Sequence, residues 1–134
     1  MLKLWKPLAG LMLLGMVSMA QAEVYELRTY TAVPGKMENL KARFRDHALP
    51  GFQRHGLKVL GTLMTPMEDK DGKGNVIIYV LVHESRESAT KNWAEFQADP
   101  AWVKGRTESV KDGPITTSVV SVFLDKLDLS AMAK

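Results

Sequence analysis

Residues 23–32 (EVYELRTYTA) alternate in character, with Val24, Glu26, Arg28 and Tyr30 on one side of an extended chain and Tyr25, Leu27, Thr29 and Thr31 on the other. Pro34-Gly35 then turns the chain. From Lys36 to Leu49 the period changes to that of a helix, with Met37, Leu40, Phe44 and His47/Ala48 on one stripe and basic residues between them. Pro50 is expected to interrupt this helix, and Gly56 suits the C-cap of a short second piece. A second strand is expected over residues 57–65, followed by a hairpin turn over Glu68–Asn75, which is rich in Asp, Gly and Asn. Residues 76–83 (VIIYVLVH) are the most apolar strand. Ser85 is placed to cap a helix carrying Ala89, Trp93 and Phe96 on one face. Asp99-Pro100 ends that helix, Ala101–Val110 continues helically, and Asp112-Gly113-Pro114 turns into a last strand over Thr116–Leu124.

The order β-α-β-β-α-β defines an α+β, ferredoxin-like plan: a four-stranded antiparallel sheet with its helices on one face. A sheet wet on its other face should alternate cleanly between apolar and polar residues. Strands 76–83 and 116–124 instead carry apolar residues on both faces, with Val76, Ile78, Val80 and Val82 opposite Ile77, Tyr79, Leu81 and His83 in the first of them. A homodimer that buries the open sheet face is the expected solution. The Glu26, Arg28 and Tyr30 side of the first strand is then expected inside the dimer barrel or at its rim.

Ahead of the first strand, Lys3 and Lys6 precede a short apolar run, and Ala20-Gln21-Ala22 has the small-x-small form of a secretory cleavage site. The run is too short to span a bilayer, which needs about 20 residues. Residues 1–22 are therefore read as a signal peptide cleaved after Ala22, residues 23–125 as one domain and 126–134 as a loosely attached tail. A periplasmic or secreted protein without a stable membrane anchor follows. The formal charge of +3 includes two leader lysines, so the mature chain is nearly neutral. With no basic run interleaved with aromatics, nucleic acid is not an expected partner. The chain has no cysteine, which excludes disulfides, thiol catalysis and thiolate metal sites.

Several segments resemble the NIPSNAP family. They are YELRTY in the first strand, the LPGF and RHG pieces between Leu49 and Gly56, and the W-x-x-F-x-x-D-P-x-W pattern from Trp93 to Trp102. The resemblance implies the dimeric α/β-barrel fold, in which two ferredoxin-like units pack their sheets together. Animal members are linked to mitochondria and vesicle traffic, whereas bacterial members mostly lack an assigned reaction. The wider group includes cofactor-independent monooxygenases, haem-degrading enzymes and small-molecule isomerases. Kinship of fold assigns no reaction, and the export signal sets this chain apart from the mitochondrial members.

Arg28 and Tyr30 are the first candidates for a site. The guanidinium fork suits a substrate carboxylate or an enolate-like anion, and its structural alternative is an ion pair with Glu26 or with an acid of a partner chain. His47 is a candidate general base near the break at Pro50, or else a core histidine. Trp93, Phe96 and Trp102 make an aromatic group that is either core or a wall for a planar ligand, with Tyr79 as a polar neighbour. His55 is expected in a cap region, and His83 is open to either role.

No metal is expected. In the EF-hand-like run Asp69–Asn75, Lys73 occupies a ligand position and Val80 stands where the bidentate Glu belongs. No nucleotide-binding loop or nucleophile elbow occurs, so no cofactor is expected. The expected function is binding of a small planar or carboxylate-bearing molecule, with any reaction cofactor-independent. The alternative is a non-enzymatic scaffold that acts through its surface.

Overall fold

The computed structural model describes residues 22–67 and 74–130; the expected signal peptide, most of the hairpin turn and the end of the tail lie outside them. Strand β1 spans Val24–Ala32, β2 Lys58–Val59, β3 Val76–His83 and β4 Thr116–Leu124. Helix α1 (Met37–Arg43) runs through a π-helical turn (Phe44–Ala48) into α2 (Leu49–Arg54), and α3 (Arg86–Ala98) is followed at once by α4 (Pro100–Ser109). The sheet order is β2-β3-β1-β4 and every pairing is antiparallel, which is the ferredoxin-like arrangement.

The ends of the helices follow the local chemistry. Ser85 Oγ accepts from Ser88 N at 3.0 Å, and Asp99 Oδ1 accepts from Ala101 N at 2.8 Å and Trp102 N at 3.4 Å, so each hydroxyl or carboxylate occupies orphan amides of the following helix. Gly56 takes φ 68° and lets Leu57 N close onto Phe52 O at 3.0 Å. Pro50 bends the expectation rather than the helix. A proline withdraws an amide donor and crowds the carbonyl four residues earlier, and the wider π turn just before Pro50 absorbs both effects, so α1 and α2 remain one continuous rod.

The second strand is shorter than its apolar pattern suggests. Only Lys58 and Val59 pair in register with β3, and after Gly61, at φ 75°, contact resumes as a single bridge between Met64 and Ile78. A left-handed residue within the run breaks the ladder, leaving β2 as a fragmentary edge.

The register fixes the two faces of the sheet. Arg28 lies between Tyr79 and Ser121, and Glu26 between Leu81 and Phe123. Ile77, Tyr79, Leu81 and His83 are all buried and pack beneath the helices, together with Leu40, Phe44, Phe52 and Phe96. Glu26, Arg28 and Tyr30 share that face. This corrects the expectation that they point into a dimer barrel: they lie between the sheet and its own helices. The opposite face presents Leu27, Val80 and Val122 in one cross-strand row. On it Val120, Val122 and Leu124 are 51%, 45% and 42% exposed.

Phe96 sits at the centre of the helix layer, 1% exposed, with ring centroids 5.0 Å from Phe52 and 4.6 Å from Trp102. Gly51 in α2 lets this ring come close, since a Cβ there would lie 2.6 Å from Phe96 Cε2. The ring is held on both sides and has no room to retreat. Gly51→Ala is expected to destabilise the domain by about 1–3 kcal/mol, read as a lower urea midpoint with an unchanged slope.

Candidate functional site

Glu26 is only 1% exposed, yet both its oxygens are fully engaged. Ser121 Oγ donates to Oε1 at 2.6 Å and Arg28 Nη1 donates to the same oxygen at 2.8 Å. Trp93 Nε1 donates to Oε2 at 2.8 Å, and His83 Nε2 stands 2.8 Å from Oε2. An ionised carboxylate has no proton to give, so the imidazole supplies that hydrogen bond from Nε2. Burial alone would raise the Glu26 pKa. The hydrogen bonds from His83, Ser121, Trp93 and Arg28 outweigh it and bring the carboxyl down to about 2.

This carboxylate sets the pose of Arg28. With Nη1 on Glu26, Nη2 donates to Tyr30 Oη at 2.9 Å, and the guanidinium lies 4.3 Å from the centre of the Trp93 ring. Arg28 Nε is buried without an acceptor among the described residues. Tyr30 Oη also accepts from Tyr79 Oη at 3.5 Å. Burial, with Tyr30 beside it, pushes the Tyr79 phenol far above its ordinary range, so it remains a neutral donor.

Beside this network lies a cavity of about 260 Å³ between the sheet and the helices. Its polar lining includes Arg28, Tyr30, Arg43, Gln97, Arg106 and Thr116, and Phe44, Phe52, Phe96 and Trp102 form aromatic walls. Arg43, the last residue of α1, is 9% exposed. Neither Arg43 nor Arg106 pairs with a carboxylate among the described residues. Burial first, and the nearby charge of Arg106 in addition, pull the Arg43 guanidinium below its ordinary value against the opposing influence of Tyr30. A guanidinium stays protonated through such shifts, so Arg43 is a nearly buried cation facing an open space.

Of the expected site residues, the structure brings Arg28, Tyr30, Phe96 and Trp102 to this cavity. Tyr79 lies beneath Tyr30 in the core and Trp93 backs Arg28, so neither lines it. His47 is not brought to it. The π turn offsets the helical phase after Phe44, and the imidazole packs against Gly105 of α4, where any Cβ would overlap the ring. A role as general base to a molecule beside Arg28 has no geometric support. His55 Nε2 lies 2.7 Å from Asp99 Oδ2, which Arg54 Nη2 also approaches at 2.8 Å, so it buttresses the α4 cap. Among the described residues no three His, Asp or Glu side chains gather as a metal site.

Sequence reasoning missed three residues here. Glu26 was visible only as one possible partner for Arg28. Arg43 lies three positions after Leu40 and so belongs to the buried stripe of α1, where a cation is the available signal. Arg106 follows Gly105 on α4 and carries no comparable mark.

Glu26→Gln leaves Arg28 buried without its counter-charge and is expected to cost about 3–5 kcal/mol at neutral pH. Because the folded-state pKa of Glu26 is depressed from 4.5 to about 2, its stabilisation is complete above pH 4.5 and is lost as pH falls towards 2. The depression corresponds to about 3 kcal/mol. Urea midpoints measured across that window should fall more steeply for the wild type than for the variant.

Comparison with known proteins matches the NIPSNAP family model to residues 25–131. Among solved structures, an uncharacterised NIPSNAP-like domain protein from Burkholderia xenovorans superposes with a TM-score of 0.68 at 14% identity, covering 82% of this chain and 90% of that one. A second NIPSNAP domain protein from the same organism gives 0.64 at 19% identity, covering 78% and 94%. A NIPSNAP family protein of unknown function from Agrobacterium tumefaciens gives 0.60 at 20% identity, covering 82% and 93%. At these identities the likeness is one of fold. No curated protein matches the sequence. The family model covers most of the chain, from the first strand through the tail, and the chain belongs to the NIPSNAP family.

Proposed function

We propose that this NIPSNAP protein is exported and binds a small, planar, carboxylate-bearing molecule in the cavity between its sheet and helices. The observation that carries the reading is Arg43: a guanidinium 9% exposed, without an acidic partner among the described residues, facing a cavity of about 260 Å³. A buried cation without a counter-charge is costly, and an arginine fork is matched by a carboxylate. The aromatic walls at Phe96 and Trp102 suit a flat body. The leader with its Ala20-Gln21-Ala22 site supports export. The apolar sheet face of Leu27, Val80 and Val122 supports a homodimer that covers it.

Binding is preferred to proton-abstracting catalysis because, among the described residues, the side chains lining the cavity include no His, Asp or Glu. The rival reading, a scaffold acting through its outer surface, requires no ligand in this space.

Thermal-shift screening of the mature protein against small aromatic carboxylates distinguishes the two. A ligand at about 100 times its Kd adds about 2.7 kcal/mol of stability, a rise of several degrees in Tm. Arg43→Met preserves the length of the stem and should abolish that rise while leaving the fold intact. No shift with any carboxylate would favour the scaffold. Native mass spectrometry should give twice the protomer mass, and a strictly monomeric mass would remove the homodimer.

A further inference from the structure

We propose that the head group this cavity accepts is a dianion, either a pair of carboxylates or a phosphate monoester carried on a small planar body. The assignment rests on the binding reading above and extends it by counting charge. Three guanidinium groups line the cavity. That of Arg28 is matched within the fold by Glu26 at 2.8 Å. Arg43 and Arg106 have no acid partner among the described residues, and the side chains around the cavity include no Asp or Glu. The lining therefore carries an excess of two positive charges.

The two cations differ in setting. Arg43 is buried at the end of α1, whereas Arg106 is exposed and reaches the cavity from α4. They are close enough for the charge of Arg106 to disfavour that of Arg43. A monocarboxylate offsets only one of the two unmatched charges. A dianion meets both, and each guanidinium then makes charge-assisted hydrogen bonds to oxygens of its own. The volume of about 260 Å³ admits a head group and a single ring, near the lower end of usual ligand sites. With Phe44, Phe52, Phe96 and Trp102 as walls, the ring has an apolar aromatic enclosure and the head group lies among donors.

Isothermal titration of the mature protein at fixed ionic strength tests this with benzoate, phthalate, phenyl phosphate and inorganic phosphate as probes. At least one of phthalate and phenyl phosphate should bind about ten-fold or more tightly than benzoate, and which of them does so identifies the source of the two charges. Arg106→Gln changes an exposed residue and should bring dianion affinity down to that of benzoate, while benzoate itself changes much less. Phenyl phosphate binding, where present, should weaken as pH falls through about 6, where such monoesters take up a proton. Benzoate binding as tightly as both dianions, or Arg106→Gln weakening all probes equally, would overturn the charge assignment and leave carboxylate binding standing. Absence of binding by every probe would remove both.

Discussion

The buried carboxylate of Glu26 is the contact on which the helix-side arrangement depends. It draws donors from four separate pieces of the chain: Arg28 beside it on β1, His83 on β3, Trp93 on α3 and Ser121 on β4. A charge this deep is tolerated only when its lone pairs are occupied, because the desolvation penalty is otherwise uncompensated. Its four hydrogen bonds therefore fix relative positions as well as contribute energy. They set how α3 lies across β1 and hold the Arg28 guanidinium over the indole of Trp93, with Tyr30 at its far end. Loosening any one donor would leave the carboxylate underserved, and it is this carboxylate that holds the Arg28 guanidinium bordering the cavity.

Around that anchor the sheet divides its labour between two faces. The helix side combines an aromatic core built on Tyr79, Phe52 and Phe96 with a polar seam along β1. The other side carries an aliphatic row, Leu27 with Val80 and Val122, flanked on β1 by Tyr25, Thr29 and Thr31, and Val120 and Val122 remain about half exposed in the single chain. Because side-chain direction alternates along a strand, the same nine residues of β1 serve both faces. A ligand cavity between sheet and helices and a covered open face are therefore compatible, since they use opposite sides of one sheet.

Much of the fold was legible in the sequence, because its signals are local. The spans of β1, β3 and β4 follow their apolar periods, and Ser85, Asp99 and Gly56 perform the capping their chemistry suggests. The β2 strand was overestimated because a hydrophobic run does not reveal that Gly61 will adopt a left-handed conformation. The layer that covers the Glu26 face was misjudged for a deeper reason: it was expected inside a dimer barrel or at its rim, and the protein's own helices cover it. Glu26, Arg28 and Tyr30 look like a wet stripe, and only partners 57, 67 and 95 positions away, His83, Trp93 and Ser121, make their burial affordable. His47 was misplaced because a π turn changes the phase of a helix without leaving any mark in its apolar period.

The chemistry available in the cavity then follows from which groups can give protons and which can take them. Glu26 is ionised, but both its oxygens are occupied and its pKa is held at about 2, so it is a poor base. The arginines stay protonated, and the buried phenol of Tyr79 is held neutral. The polar side chains that reach the space are largely donors: guanidinium groups, a phenol, a primary amide and a threonine hydroxyl. A proton-abstracting site needs an acceptor within reach of its substrate, and His47, the natural one on this helix, is turned against Gly105. An enclosure lined among the described residues by donors and excess positive charge is suited to hold negative charge in place.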